Sequence, residues 1–140
     1  MMTIHIDNHT IQCQEGESIL DVARKNGIFI PAICYLNGCS PTVACRLCMV
    51  EVDGKRVYSC NAKVKDGMNI QTNSPEIAIE RQAIMRVYDI NHPLECGVCN
   101  KSGECELQNY SHMMRVDHQE YAIRDTFKQK SIFALSVNVA

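Results

Sequence analysis

The sequence predicts an α+β protein: a small mixed sheet with one helix packed on it, followed by a second, mainly helical segment. Three observations carry this reading. Alternating apolar and polar residues around turn signals mark two hairpins, within Thr3–Cys13 and Leu47–Ser59. A helical pattern lies between them, opening at Ser18 and closing at Gly27. Beyond residue 73 the alternation gives way to a broader, helix-like spacing of apolar residues.

Taken in order, Thr3-Ile4-His5-Ile6 alternates as a strand, Asp7-Asn8 turns, and Thr10-Ile11-Gln12-Cys13 returns. Ser18 is the N-cap of the first helix, Ile19, Leu20, Val22 and Ala23 form its apolar face, and Gly27 ends it. Ile28 to Thr42 contains two prolines, a glycine and no clean period, which predicts an irregular loop. Leu47 to Val52 alternates again, Asp53-Gly54 is a hairpin turn, Arg56 to Ser59 returns, and Asn69–Thr72 is a last short strand. Ser74-Pro75-Glu76 then opens a helix, with a cap, a proline tolerated in the first turn and an acid at the positive end of the dipole. It is expected to run to about Ile90, with Ile77, Ile79, Ala83, Ile84, Val87 and Tyr88 as a broad apolar stripe. A turn-rich loop from Asn91 to Gly103 and a helix from Glu104 to about Met114 follow. The expected domains are 1–73, 74–128 and a tail, 129–140.

The 140 residues carry a formal charge of −2 with acids and bases interspersed, so neither nucleic acid nor an anionic lipid surface is suggested as a partner. No apolar run approaches the ~20 residues of a membrane span, and the amino terminus has neither a basic region nor an apolar signal core. A soluble, intracellular chain is expected. Its nine cysteines exceed what packing requires. Their odd number and the reducing compartment argue against disulfides, which leaves metal binding as the leading explanation.

The cysteines form two constellations. Cys34, Cys45, Cys48 and Cys60 lie in the irregular loop, at its junction with a strand, and just after the second hairpin. Cys45 and Cys48 are close enough in sequence to share a centre, and the Asp53-Gly54 hairpin can bring the others to them. His92, Cys96, Cys99 and Cys105 follow the spacing H-x3-C-x2-C-x5-C, with Gly97 and Gly103 permitting a tight wrap. Such a set can surround one cubane or one zinc ion, and spacing alone does not choose between them. Cys13, on a strand, reads as a small buried apolar residue. His5, His9, His112 and His118 have no cysteine company and read as surface or structural.

The run IPAICYLNGCSPTVACRLCMVEVDG, followed by YSCNA, resembles the [2Fe-2S] ferredoxin domain of the large iron-sulfur subunit of bacterial NADH-quinone oxidoreductase, respiratory complex I, which soluble hydrogenases and formate dehydrogenases share. The resemblance implies a beta-grasp fold with Cys34, Cys45, Cys48 and Cys60 as ligands of one [2Fe-2S] cluster. Cys39-x5-Cys45-x2-Cys48 also lies near the plant-type ferredoxin spacing; Cys34 is preferred because it follows Ile30-Pro31 as the family's first ligand does. The second motif, continued by Cys105-Glu106-Leu107-Gln108, resembles the same subunits' [4Fe-4S] site, implying His92, Cys96, Cys99 and Cys105 as its ligands. Implied too are partners: a flavin-bearing NADH-oxidising subunit and further cluster-bearing subunits, in a complex peripheral to the cytoplasmic face of the inner membrane. The resemblance runs over about residues 2–128, including HQEYAIRDTFK. Family members continue into a third cysteine-rich motif, whereas Ser131–Ala140 resembles nothing expected there; a fragment, a shortened subunit and an altered reading frame remain open.

The function that the resemblance implies is electron transfer from a reduced flavin through the clusters toward quinone, with no catalytic residue of the chain's own. No serine-histidine-acid set, phosphate-binding glycine loop or paired-carboxylate motif stands out. The alternatives are the diaphorase side of a hydrogenase or formate dehydrogenase, a zinc-binding interaction module built on the two C-x2-C pairs, and thiol-disulfide exchange. The last expects a strand-to-helix context, whereas Cys45–Cys48 leads into a strand.

Overall fold

The computed structural model describes residues 1–92 and 94–116. The expected remainder of the second domain, with HQEYAIRDTFK and His118, and the 129–140 tail lie outside the described residues. The chain forms two compact units that divide between Ile84 and Met85.

The first unit is built on strands β1 (Met2–Ile6), β2 (His9–Cys13), β3 (Met49–Val52), β4 (Lys55–Tyr58) and β5 (Asn69–Gln71), with helix α1 (Ile19–Lys25) between the two hairpins. The sheet order is β2-β1-β5-β3-β4; β1 and β5 run parallel and the other pairs antiparallel. This mixed sheet with one helix is the expected beta-grasp arrangement. Both hairpins close on two-residue turns, and at the second Asp53 (φ 48°) and Gly54 (φ 79°) adopt the left-handed conformations that match strand twist. In the first, Asp7 has φ 51° and its carboxylate accepts from Thr72 N at 2.8 Å and Thr72 Oγ1 at 2.7 Å. That contact ties the β1 turn to the end of β5.

Alternation gives the sheet one apolar face. Ile4, Ile6, Ile11, Val50 and Ile70 are buried there with Leu20 and Val22 of α1. Cys13 is buried with them, as expected of it. Helix α1 starts where Ser18 Oγ accepts from Asp21 N at 3.0 Å and ends before Gly27, whose φ is 71°. The third strand begins two residues later than the alternation suggested, because Leu47 and Cys48 sit in a turn.

Helix α2 (Pro75–Asn91) opens with Ser74 Oγ accepting from Ile77 N at 3.2 Å. Its buried line corrects the expected stripe. Ile79 and Val87 are exposed, whereas Ile77, Arg81, Met85 and Asp89 are buried at steps of four residues. Two of those four are charged residue types, so a search for apolar periodicity passes over them. In the second unit a 3-10 turn (Cys96–Val98) leads to helix α3 (Glu106–Met113). Among the described residues no helix is long and apolar enough to cross a membrane.

Candidate metal centres

In the first unit α1 positions two parts of the cysteine site. The amides of Ile19 and Leu20, free at the helix start, donate to Ala62 O and Ser59 O, both at 3.0 Å. The segment carrying Cys60 is thereby held at the helix N-terminus. Ser59 in turn donates from its amide (3.0 Å) and its hydroxyl (2.7 Å) to Cys48 O, linking Cys48 to the neighbour of Cys60. On the flank of α1, Asp21 accepts from the Tyr35 hydroxyl at 2.9 and 2.8 Å, with Arg24 5.6 Å from the ring centroid. Tyr35 is fixed in this way, and with it the adjacent Cys34.

The loop between these anchors bends at Val43 (φ 54°) and Arg46 (φ 57°). A left-handed, β-branched valine costs on the order of 1–3 kcal/mol. The bend turns donors toward sulfur: Cys45 N donates to Cys34 Sγ at 3.4 Å, and the Ala44 amide, the Thr42 hydroxyl and the Cys45 thiol also bond to it. Successive amides aimed at one point form an anion-holding nest. Burial alone would raise the Cys34 thiol, but these donors outweigh it and bring it down to about 7.

Cys45, Cys48 and Cys60 are 3%, 0% and 1% exposed, and Cys34 is half-buried. Burial, then the Cys48 thiol as hydrogen-bond partner and like charge, then repulsion from Cys34 and Cys45 push Cys60 up to about 12. All four thiols therefore share one electrostatic neighbourhood. Cys39 stands apart, exposed, with its amide on Leu36 O at 3.1 Å.

In the second unit, His92, Cys96, Cys99 and Cys105 line one cavity of about 430 Å³, together with apolar Leu94, Val98 and Leu107. Water's share of liquid volume is about 30 Å³, so the space suits a far larger group than a single ion. The wrap has its own fasteners. Gln108 Oε1 accepts from Gly103 N at 2.9 Å and its Nε2 donates to Ser102 Oγ at 3.4 Å, so the residue after Leu107 pins the Cys99–Cys105 loop back onto α3. Lys101 N donates to Cys99 Sγ at 3.4 Å, and Cys105 occupies the N-cap position of α3. Asp89 and Ser111 are buried nearby; burial raises the Asp89 carboxyl, opposed by His92 and by the neighbouring Ser111 hydroxyl.

Among the described residues, no three His, Cys, Asp or Glu side chains converge tightly enough to hold one metal ion. The donor set suits an iron-sulfur cluster, whose cysteines stand on different irons: four neighbouring thiols, three fully buried, with amides supplied to sulfur. A cationic iron-sulfide core would relieve the repulsion that raises Cys60. The sequence reading missed the Ser59, Tyr35 and Arg81 contacts. Arg81 Nε donates to Leu47 O at 3.0 Å and Nη2 to Met49 O at 2.6 Å.

Comparison with known proteins gives two matches in tandem. Residues 1–75 match the 2Fe-2S iron-sulfur cluster binding domain, and residues 81–120 match the NADH-ubiquinone oxidoreductase-G iron-sulfur binding region. The cofactors of these two regions are one [2Fe-2S] and one [4Fe-4S] cluster. The chain is 42% identical over 123 residues to NADPH-Fe(3+) oxidoreductase subunit alpha of Geobacter sulfurreducens, covering 86% of this chain and 15% of that one. It is 37% identical over 111 residues to the NADH-ubiquinone oxidoreductase 75 kDa subunit of Reclinomonas americana, covering 78% and 16%. Among solved structures, a chain of NAD+-reducing [NiFe]-hydrogenase in the H2-reduced state superposes with a TM-score of 0.78 at 26% identity, covering 88% of this chain and 54% of that one. The chain thus spans about a sixth of the length of these two curated relatives. With the sheet, the sulfur neighbourhood and the second cavity, these matches place the chain in the family of 2Fe-2S iron-sulfur cluster binding domains, joined here to an NADH-ubiquinone oxidoreductase-G iron-sulfur binding region.

Proposed function

We propose that this chain is an electron-transfer part of a multisubunit oxidoreductase, taking electrons from a reduced flavin on an NADH-oxidising partner and passing them toward quinone. In this reading Cys34, Cys45, Cys48 and Cys60 hold the [2Fe-2S] cluster, and His92, Cys96, Cys99 and Cys105 hold the [4Fe-4S] cluster. When bound, the clusters supply reversible one-electron chemistry. The chain's own residues supply ligands, exclusion of water from three of the four first-site thiols, and donors that offset thiolate charge. The observation that carries the reading is the joining of four distant cysteines into one buried neighbourhood, with amides directed at Cys34 Sγ. Attachment to the cytoplasmic face of a membrane, through partner subunits, belongs to the same proposal.

The superposition on an NAD+-reducing hydrogenase chain favours a second reading, in which the same clusters carry electrons between a nicotinamide-linked flavin and a hydrogenase.

The test is an anaerobic preparation of the full chain assayed for iron and acid-labile sulfide, with EPR spectra after dithionite reduction. About six irons and two reduced signals are expected. Cys34→Ala should abolish one signal, His92→Cys should alter the other, and Cys39→Ala should leave both. Stoichiometric zinc without iron, sulfide or visible absorption would sink the reading.

A further inference from the structure

Arg81 is the buried cation of the first unit, and the ligand assignment gives no account of it. It is 7% exposed, and its guanidinium spans the two carbonyls on either side of Cys48, at 3.0 Å to Leu47 O and 2.6 Å to Met49 O. Both are neutral acceptors. The ion pairs among the described residues join Lys25 to Glu17 and Arg56 to Glu80, so no carboxylate balances Arg81 there. A buried charge without a counter-charge is costly; burial lowers the Arg81 guanidinium and the interaction with Cys48 opposes that. A guanidinium forked over the backbone at a cysteine has two effects. It fixes the direction of that cysteine by clamping the chain before and after it, and its positive charge interacts with the Cys48 side chain across that clamp.

We propose that Arg81 is the positioning residue and built-in counter-charge of the four-cysteine centre, clamping the backbone around Cys48 and holding the reduction potential of the [2Fe-2S] cluster up. The proposal rests on the electron-relay reading. Reduction by one electron, from dithionite in the test or from a reduced flavin in the proposed complex, adds one negative charge to the centre and releases none. A fixed cation beside Cys48 therefore favours the reduced form more than the oxidised one. Removing the charge lowers the potential.

The experiment is an EPR-monitored redox titration of the full chain as wild type, Arg81→Gln and Arg81→Lys, with the signal of the second cluster as internal reference. In Arg81→Gln the reduced-to-oxidised ratio of the [2Fe-2S] cluster at the wild-type midpoint is expected to fall at least tenfold, which for a one-electron couple is about 59 mV. In Arg81→Lys, which keeps the charge and loses the fork, the ratio is expected to stay within tenfold of wild type. An unchanged midpoint in Arg81→Gln, or a tenfold or larger displacement in Arg81→Lys, overturns the proposal. Where Arg81→Gln does not retain its cluster, Arg81→Met, which also removes the charge, is titrated in its place, with the same tenfold fall expected and an unchanged midpoint overturning the proposal. A wild-type chain without iron and sulfide fails the electron-relay reading and the Arg81 proposal together. A wild-type chain with both, and variants at its midpoint, overturns the role of Arg81 only.

Discussion

Cys34 and Cys60 show how differently one fold treats two thiols of the same proposed site. Four donors hold Cys34 at about 7, whereas burial and the neighbouring thiols hold Cys60 at about 12. In cluster-free protein under reducing, anaerobic conditions, Cys34 should therefore alkylate with a midpoint near pH 7, being largely thiolate above it and thiol below. Cys60 should stay unreactive across the same range, as mass mapping of the labelled cysteines would show; similar profiles for the two would contradict the geometry. The choice of Cys34 over Cys39 came from the family resemblance, since spacing permits both. What sets Cys34 apart in the structure is its set of donors, carried on a loop that bends at the left-handed Val43 and Arg46. Nothing in a valine or an arginine announces that conformation, so this part of the site was illegible in sequence. His92 stood out in the sequence only through the company of its three cysteines, with which it lines the second cavity.

At the scale of elements, the caps and turns do the positioning and their removal can be measured. Ser18→Ala should cost about 1 kcal/mol in denaturant unfolding, with a further effect on the first cluster, because the start of α1 also holds the Cys60 segment. Asp7→Ala removes two hydrogen bonds from Thr72 to a carboxylate and should cost about 2 kcal/mol. Gln108→Ala unties the Cys99–Cys105 loop and should speed loss of the [4Fe-4S] absorbance in air while leaving that of the first cluster unchanged. Equal loss of both would place the role of Gln108 elsewhere. Asp7-Asn8, Ser18, Gly27, Asp53-Gly54 and Ser74 were all readable because turn and cap chemistry is local. The buried line of α2 was not. Arg81 and Asp89 are inside because of what they meet in the fold, and a pattern of apolar residues carries no trace of that.

For the whole molecule, two units with separate cysteine sets predict separable loss. Cys48→Ala should reduce iron from about six to about four per chain and leave the second EPR signal in place; collapse of both would show the sites to be coupled. The beta-grasp order was expected from the resemblance, but the pairing of β1 with β5 was beyond the reach of local pattern, since parallel partners share no turn. That pairing has a consequence in time. Asp7 and Thr72, which close the sheet, are 65 residues apart, so at roughly 5–20 residues per second the ribosome takes about 3–13 s to supply the second after the first. Throughout that interval the first hairpin waits with one edge unpaired, and Cys34, Cys45 and Cys48 are all synthesised before the strand that completes the sheet beneath them. A nascent chain therefore offers its thiols before it can bury them, and protection of those sulfurs is a matter of translation speed as well as of structure.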